Sequence, residues 1–314
     1  MTDDDRAWPS LPYASWKDTY ATLHLYSQMV GKVALALAPP LNHCWGVALH
    51  VTARGLSTGM LPHGSRSFTL AFDFLDHVLQ IDCTDGATRR LPLASHSIGA
   101  FYRALMEALA DMDLAVRIWP VTVEMPTPVR LDDDSRPAIY DGAWAQRFWR
   151  ILVRVDRVFA SWRCGYAGKS SPVNFFWGSF DLAVTRFSGR RAPPRSGPAF
   201  ERDAYSHEVI SHGFWPGDAR LPEAAFYAYA VPQPAGLAEA AVQPPQAYFH
   251  PELSEFILPY QAVQEAASPE QMLRAFLQST WDQAAELGHW DRAALERRQG
   301  EEPKEPGSFS NTEK

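Results

Sequence analysis

Two stretches of this chain carry the same residue types at the same mutual spacing, and no other feature constrains the fold as strongly. The second stretch holds a proline, an asparagine, a Trp-Gly pair and an arginine, namely Pro172, Asn174, Trp177, Gly178 and Arg186. The first holds the same set in the same register, namely Pro40, Asn42, Trp45, Gly46 and Arg54. A spacing match of this kind predicts an internal duplication.

Each stretch follows a helical pattern of apolar residues. The first pattern begins at Trp16 and ends at Pro39–Pro40, since proline lacks the amide hydrogen that a helix interior needs. The second runs from Trp144 to about Trp162, and the shared register aligns the apolar stripes of the two helices. The apolar faces of the strands that follow are one residue out of phase, which a β-bulge in one copy would explain.

Strand-like segments follow the helix in each half. In the first half they are His43–Ala53, Ser67–Phe74, Val78–Thr84, Arg89–Leu93 and Leu114–Trp119. In the second half they are Val173–Thr185, Ser206–Phe214, Ala225–Val231 and Glu255–Leu258. Ser95 and Ser268 are predicted to cap the closing helices. The sequence thus predicts an α+β fold of two similar halves, each a mostly antiparallel sheet packed by a long N-terminal helix and a shorter closing helix.

The proline-rich segment from Trp119 to Asp141 is predicted to connect the halves. Residues 1–130 then form the first half with an N-terminal arm, and residues 131–298 form the second. Residues 299–314 are polar and lack bulky apolar side chains, which is typical of a disordered tail. Whether the halves make one domain or two is left open by the sequence.

The composition of the chain limits which partners the protein can bind and where in the cell it is expected. The net charge of −7 argues against general nucleic-acid binding, which uses a broad basic face. No apolar run approaches the roughly 20 residues that span a bilayer, and the N-terminal run MTDDDRAW lacks the basic region of a secretory signal. The 3 cysteines are widely spaced and suggest neither a disulfide framework nor a zinc site. We therefore expect a cytoplasmic protein with no membrane and no nucleic-acid partner.

Arginines cluster at the end of the second stretch, as Arg186, Arg190, Arg191 and Arg195. Guanidinium groups bind carboxylates and phosphates through two parallel hydrogen bonds, so the cluster predicts an anion site. The other residues assigned to this ligand site are Trp177, Asp181 and His207. The alternative is that these arginines pair with nearby acids or carbonyl groups as part of the scaffold.

The run SHEVISHG contains His207, Glu208 and His212 but has one residue too many for a zinc-protease helix. On a strand, which Val209 and Ile210 favour, Glu208 and His212 share a face. We assign this pair as the candidate acid/base or metal-binding groups, with His43 or His250 as a third metal ligand. The alternative is a polar face on a half-buried strand.

Three long runs of the chain resemble a bacterial family of domains of unknown function. They are WPSLPYASWKDTYATLHLYSQMVGKVALALAPPLNHCW, FFWGSFDLAVTRFSGRRAPPR and YSHEVISHGFWPGD. The resemblance covers about Trp8 to Arg297 and implies a single full-length bacterial unit without appended modules. It supplies no activity, cofactor or catalytic residue.

The sequence favours a protein that binds or acts on a small anionic ligand, a carboxylate or a phosphate, in a cleft near the arginine cluster. A non-catalytic module that presents a groove to a partner protein is one alternative. A metal-dependent, hydrolase-like enzyme that uses Glu208 and His212 is another. The sequence identifies no cofactor and no oligomeric state, and it leaves open whether the chain is an enzyme.

Overall fold

The computed structural model describes residues 7–94 and 96–297, which form an α+β fold with two six-stranded antiparallel sheets. This confirms the predicted fold class. Ser95, predicted as a helix cap, and the predicted tail at 299–314 lie outside the described residues.

The first half begins with α1 (Tyr13–Leu37), which is buried along most of its length, and a 3₁₀ segment (Asn42–Val47). Its strands are β1 (His50–Val51), β2 (Gly55–Ser57), β3 (Leu61–His63), β4 (Arg66–Asp73), β5 (Val78–Cys83) and β6 (Thr88–Pro92). They are ordered β1-β2-β4-β5-β6, with β3 also paired to β4. The half closes with α2 (Ile98–Asp111).

The second half begins with α3 (Gly142–Arg163). Its strands are β7 (Asn174–Phe176), β8 (Asp181–Arg191), β9 (His207–Trp215), β10 (Ala225–Val231), β11 (Tyr248–His250) and β12 (Glu255–Pro259). They are ordered β11-β12-β10-β9-β8-β7. Its other helices are α4 (Ala199–Ala204), α5 (Tyr260–Glu265), α6 (Pro269–Leu287) and α7 (Arg292–Leu295), with a 3₁₀ turn at Leu237–Glu239.

The two sheets meet where Leu49 and Phe175 exchange backbone hydrogen bonds of 2.9 and 2.8 Å. Trp16 of α1 stacks on Phe148 of α3, with ring centres 5.0 Å apart. One apolar core therefore runs across both halves. The boundary between residues 130 and 131 stays a prediction.

The two faces of the second sheet differ in chemistry because successive side chains of a strand point to opposite sides. On β8, Leu182 and Val184 lie on the face that packs against α3 and α6. Asp181 and Thr185 lie on the other face. This second face is polar and aromatic, and it forms the floor of the site described below.

Three predicted strands are wrong in their bounds. His43 and Cys44 have φ angles of 58° and 59°, so the predicted strand His43–Ala53 is a 3₁₀ segment followed by the short β1. Residues 114–119 form no strand. The predicted strand Val173–Thr185 is two strands separated by a turn, because Phe180 has a left-handed backbone with φ of 59°.

The arginine cluster is only partly a loop. β8 continues through Arg191, with a bulge after Phe187 where Gly189 adopts φ of 87°. Arg186 and Arg190 therefore lie on a strand, and Arg195 lies in the segment that leads to α4.

Helix starts follow the predicted chemistry in part. The hydroxyl of Ser97 caps α2 by accepting from the amide of Ala100 at 3.1 Å. Ser268 precedes α6, whose first residue is Pro269 as predicted, but its side chain makes no capping bond.

The internal duplication stays a hypothesis. Both halves have a long helix, an antiparallel sheet and a closing helix in the same order. The matched residues nevertheless occupy different surroundings. Arg54 is half-exposed and pairs with Asp73, whereas Arg186 is buried in the middle of β8.

The buried turn after β7 is fixed by a close approach to α1. A Cβ atom on Gly31 would lie 2.2 Å from Cδ2 of Trp177, so the indole ring occupies the space that any side chain would need. The ring nitrogen of Trp177 donates a 2.9 Å hydrogen bond to the carbonyl of Val47. Trp177 thus links α1, the 3₁₀ segment and the second sheet.

Replacing Gly31 with alanine is expected to lower the free energy of unfolding by about 1–3 kcal/mol, the usual cost of overpacking a core. Helix propensity alone predicts the opposite sign, because alanine is favoured over glycine by about 1 kcal/mol. Urea denaturation followed by circular dichroism measures the change. Gly59→Ala is the control, since nothing lies within 4 Å of its new Cβ. A Gly31→Ala protein as stable as the wild type would contradict this packing.

Candidate functional site

A cavity of about 360 Å³ lies on the polar face of the second sheet. Its floor comes from β8, β9 and β10, and its walls come from the 3₁₀ segment, α4 and the chain around Glu124. Aromatic rings supply most of its apolar lining, namely Trp45, Phe176, Phe187, Phe200, Tyr205, Tyr227 and Tyr229. It is the kind of concave, largely apolar space that small-molecule ligands occupy.

Asp181 is the polar centre of the floor. Its carboxylate is buried and accepts hydrogen bonds from the hydroxyls of Ser179 and Tyr227. Burial raises the pKa of Asp181, while these hydrogen bonds act in the opposite direction. Burial, and next the charge of Asp181, raises the pKa of Tyr227 well above its ordinary value. Asp181 and Tyr227 therefore place a carboxyl and a phenol side by side in an environment of low dielectric constant.

Hydroxyl pairs extend the polar floor. The hydroxyls of Thr185 and Ser211 are 2.9 Å apart, and those of Tyr205 and Tyr229 are 3.0 Å apart. Asn174 lies on the same sheet face, because it pairs with Ala183 in the β7–β8 ladder, and it is fully buried. Neither polar atom of its side-chain amide has a hydrogen-bond partner among the described residues.

Glu124 lies at the mouth of the cavity. The residue as a whole is exposed, but its carboxyl group is packed so closely over Gly178 that a Cβ there would lie 2.1 Å from Oε1. Burial of the carboxyl raises the pKa of Glu124 to about 7, and the charges of Asp181 and Glu201 add to the shift. Glu124 therefore exchanges its proton near neutral pH.

Gln28 of α1 fixes the backbone beside Glu124. Its amide nitrogen donates to the carbonyl of Val123 at 2.8 Å, and its oxygen accepts from the amide of Val123 at 3.1 Å. The same amide nitrogen lies 3.3 Å from the carbonyl of Gly178, to which His24 donates at 2.8 Å. Gln28 is thus a positioning residue for both parts of the chain that meet at Glu124.

The opposite end of the cavity is basic. Lys169 donates a 2.7 Å hydrogen bond to Nε2 of His43, whose Nδ1 donates to the carbonyl of Ala204 at 3.2 Å. Burial, followed by the charge of Lys169, lowers the pKa of His43, which favours the neutral ring. Arg195 lies over the ring of Tyr205, with its guanidinium carbon 4.6 Å from the ring centre.

Left-handed backbone is concentrated around this cavity. His43, Cys44 and Glu124 line it with φ angles of 58°, 59° and 57°, and Phe180 lies between two further lining residues with φ of 59°. Such conformations cost a non-glycine residue of order 1 kcal/mol or more, and they gather at functional sites. Burial raises the pKa of Cys44, so its thiol is not an activated nucleophile.

Arg186, predicted to bind an anion, lies on the opposite face of the sheet from the cavity. Its guanidinium carbon is 3.4 Å from the ring centre of Trp162 and 4.7 Å from that of Trp281. It donates a 2.9 Å hydrogen bond to the carbonyl of Trp162, and burial lowers its pKa to about 9. These contacts describe a core cation held between rings.

Arg190 and Glu208 form one contact with each other and with the end of α6. Arg190 approaches Oε2 of Glu208 within 2.6 Å and donates to the carbonyls of Gly288 and His289 at 2.7 and 2.8 Å. A cation there also complements the partial negative charge of a helix C-terminus. Arg191 is exposed at the end of β8.

His212, predicted as the partner of Glu208, is buried against Trp162 and bonds the hydroxyl of Thr280 at 2.9 Å. Burial lowers the pKa of His212 to about 3, with the charge of Arg186 adding to the shift. Four residues along a strand separate it from Glu208 by about 13 Å, so one substrate atom cannot contact both.

The predicted ligand residues therefore separate into several places. Asp181 lies in the cavity, and His207 lies beside it, with its ring centre 5.8 Å from that of His43. Trp177 is packed on α1 rather than in the cavity. The arginines are divided between the core, the end of α6 and, for Arg195, the cavity.

Sequence reasoning missed Glu124, and for Tyr227 and Tyr229 it favoured the core over the lining of a ligand pocket. Glu124 lies in the segment interpreted as a surface connection, and no motif marks it. Tyr227 and Tyr229 alternate with alanines in the run AFYAYA, and a period of two is the one available signal that they share a sheet face.

Among the described residues, no group of three or more His, Cys, Asp or Glu side chains is arranged to hold a metal ion. Within the same part of the chain, no helix is both long enough and apolar enough to cross a membrane.

Comparison with known families matches residues 8–297 to a family of unknown function, DUF5996. The chain belongs to this family. This confirms the resemblance drawn from the sequence, and the DUF5996 match includes both sheets and the whole cavity. Comparison with curated proteins gives no match, and comparison with solved structures gives none either.

Replacing Arg186 with lysine in this DUF5996 chain is expected to lower the free energy of unfolding by about 2–3 kcal/mol. An ammonium group cannot stack flat on Trp162 while it bonds the same residue's carbonyl. Chemical denaturation measures the loss, and Arg191→Lys, at an exposed position, is the matched control. Equal stability of the two variants would show that Arg186 is not a core cation.

Glu124 is expected to titrate near pH 7 in carboxyl carbon-13 spectra of protein labelled at glutamate. Glu255, whose pKa burial also raises to about 7, should give a second titration in that range. Glu124→Gln should remove one of the two, and Glu252→Gln, at an exposed turn, should remove neither. Two unchanged titrations in the Glu124→Gln protein would contradict the assignment.

The same shift has a defined sign for stability. Between about 4.5 and about 7 the folded state holds a proton on Glu124 that the unfolded state has released. The contribution of Glu124 to stability therefore falls as pH rises through that window, and Glu124→Gln should lack this part of the pH dependence.

Proposed function

We propose that this DUF5996 chain binds a small organic molecule in the cavity on the polar face of the second sheet. The observation that carries the proposal is the buried carboxyl of Asp181 at the floor of an aromatic-walled cavity of about 360 Å³. Burying a carboxyl group costs free energy, and a ligand that bonds it recovers part of that cost. Apolar walls with a few fixed polar groups are what orient a small ligand.

The strained backbone conformations also favour this cavity as the functional site. His43, Cys44, Glu124 and Phe180 adopt left-handed φ angles at or next to the cavity. The surrounding contacts, such as the bonds from Gln28 to Val123, maintain these conformations. Strain of this kind is retained where it places a side chain that the function uses.

If a reaction takes place in the cavity, Glu124 is the group suited to general acid or base catalysis. A pKa of about 7 lets one carboxyl both give and take a proton near neutral pH. Asp181 and Tyr227, held to each other by a hydrogen bond, would then orient the substrate. This assigns to Glu124 the role that the sequence gave to Glu208 and His212.

An anionic ligand remains a second candidate, because Arg195 lines the cavity and Lys169 lies at its basic end. The guanidinium of Arg190 is already bonded to Glu208 and to the end of α6, so it adds little to such a site. The interaction-module and metal-dependent alternatives gain no specific support.

The remaining parts of the proposal rest on the sequence. They are the bacterial origin, the cytoplasmic location and the internal duplication that gave each half its helix, sheet and closing helix. The cavity is lined by residues of both halves, as a cleft between diverged halves would be.

A fragment screen by ligand-observed NMR tests the binding proposal. Ala204 is half-buried at the end of α4 and lines the cavity, so Ala204→Trp is expected to fill it and abolish binding of the fragments that bind the wild type. Ala235→Trp is the control because Ala235 is exposed in a turn away from the cavity. Fragments that bind both variants equally would place the ligand elsewhere.

A further inference from the structure

We propose that the ligand of this cavity is an organic cation, an amine or ammonium group attached to a small apolar body. The cationic group is held by Glu124 and Asp181, and the aromatic rings enclose the rest. The inference rests on the proposed function and adds the chemical class of the ligand.

The acidic end of the cavity lacks positive charge. Glu124, Asp181 and Glu201 all line it, and none of the three forms a salt bridge within residues 7–94 and 96–297. Asp181 and Glu201 both raise the pKa of Glu124, so the three carboxyls act on one another through mutual repulsion. A cation placed among them removes this repulsion, whereas an anion adds to it.

The rings of the cavity already bind cations from the protein itself. Nζ of Lys169 lies 5.3 Å from the ring centre of Trp45 and 4.9 Å from that of Phe187. Arg195 covers the ring of Tyr205. The negative face of an aromatic ring attracts a cation, so these rings suit a cationic group.

Phe176 and Tyr227 extend this aromatic wall to the acidic end. Phe176 pairs with Asp181 in the β7–β8 ladder, so its ring lies on the same sheet face as the carboxyl. Tyr227 bonds Asp181 directly and stacks with Tyr229 at a ring separation of 5.8 Å. A cation bonded to the carboxyls therefore has ring faces beside it.

The basic side chains of the cavity do not offset this preference. Lys169 is committed to His43, and Arg195 is exposed and stacked on Tyr205. Neither forms a salt bridge with Glu124, Asp181 or Glu201 among the described residues, and an anion bound at the floor would lie next to Asp181. The floor therefore favours an amine over a carboxylate.

Three probes of one shape test the inference: benzylamine, benzyl alcohol and benzoate. At about pH 8, where Glu124 is ionised, benzylamine is expected to bind the wild type ~10-fold more tightly than benzyl alcohol, with benzoate the weakest. Glu124→Gln should weaken benzylamine ~10-fold and leave benzyl alcohol unchanged. Glu252→Gln, which removes an exposed carboxyl elsewhere, should change neither. Titration calorimetry gives the three dissociation constants.

The pH dependence supplies a second readout with a fixed sign. Glu124 faces Asp181 of β8, Glu201 of α4 and the thiol of Cys44, whose pKa its charge helps to raise. Below its pKa Glu124 is neutral, so benzylamine should bind more weakly at about pH 5.5 than at about pH 8. Benzyl alcohol should show no such loss.

The outcomes separate the two proposals. Equal or tighter binding of benzyl alcohol or benzoate, abolished by Ala204→Trp, would overturn the cationic ligand and leave the cavity as the binding site. Failure of all three probes to bind, or binding that Ala204→Trp does not alter, would overturn both.

Discussion

The hydrogen bonds that Gln28 makes from within α1 hold the architecture of the cavity together. A buried amide must find partners for both its donor and its acceptor, and here it finds them in the backbone of Val123 and at Gly178. Because α1 is itself enclosed by both halves, these bonds do not compete with water. They fix the turn after β7 and the strained conformation of Glu124 at the same time. The polar interior of α1 is therefore as important to the site as its apolar surface is to the core.

Strand β8 shows how one element serves two environments. Its alternate residues face either the helices or the cavity, so Arg186 and Asp181 belong to one strand but never meet. The cation lies between indole rings that shield it, and the carboxyl is bonded by hydroxyls that leave room beside it. Burial raises the pKa of Asp181 and lowers that of Arg186, and both shifts favour the neutral form of the group. Only the carboxyl lies where a ligand can reach it.

The periodicity of apolar residues predicted which helices and strands form better than it predicted where they end or what they contact. The apolar stripe of α3 was predicted at Trp144–Trp162 and the helix lies at Gly142–Arg163, because a long amphipathic pattern is unambiguous. The left-handed residue Phe180 interrupts a continuous apolar run, and nothing in its side chain signals that. Gln28 places Glu124 through bonds to the backbone of the preceding residue, Val123, which lies 95 residues further along the chain than Gln28. Contacts of this kind leave no pattern in a single sequence, so only the folded structure reveals the site.

Neither half of the chain supplies all the walls of the cavity. His43, Trp45 and Glu124 come from the first half, whereas Asp181 and Tyr227 come from the second. A molecule held between them bridges the halves, and its binding free energy adds to whatever keeps them joined. Binding of that molecule and the association of the two halves are then coupled equilibria. On the proposed function, selection for ligand binding and selection for a single cooperative fold would act on the same few residues.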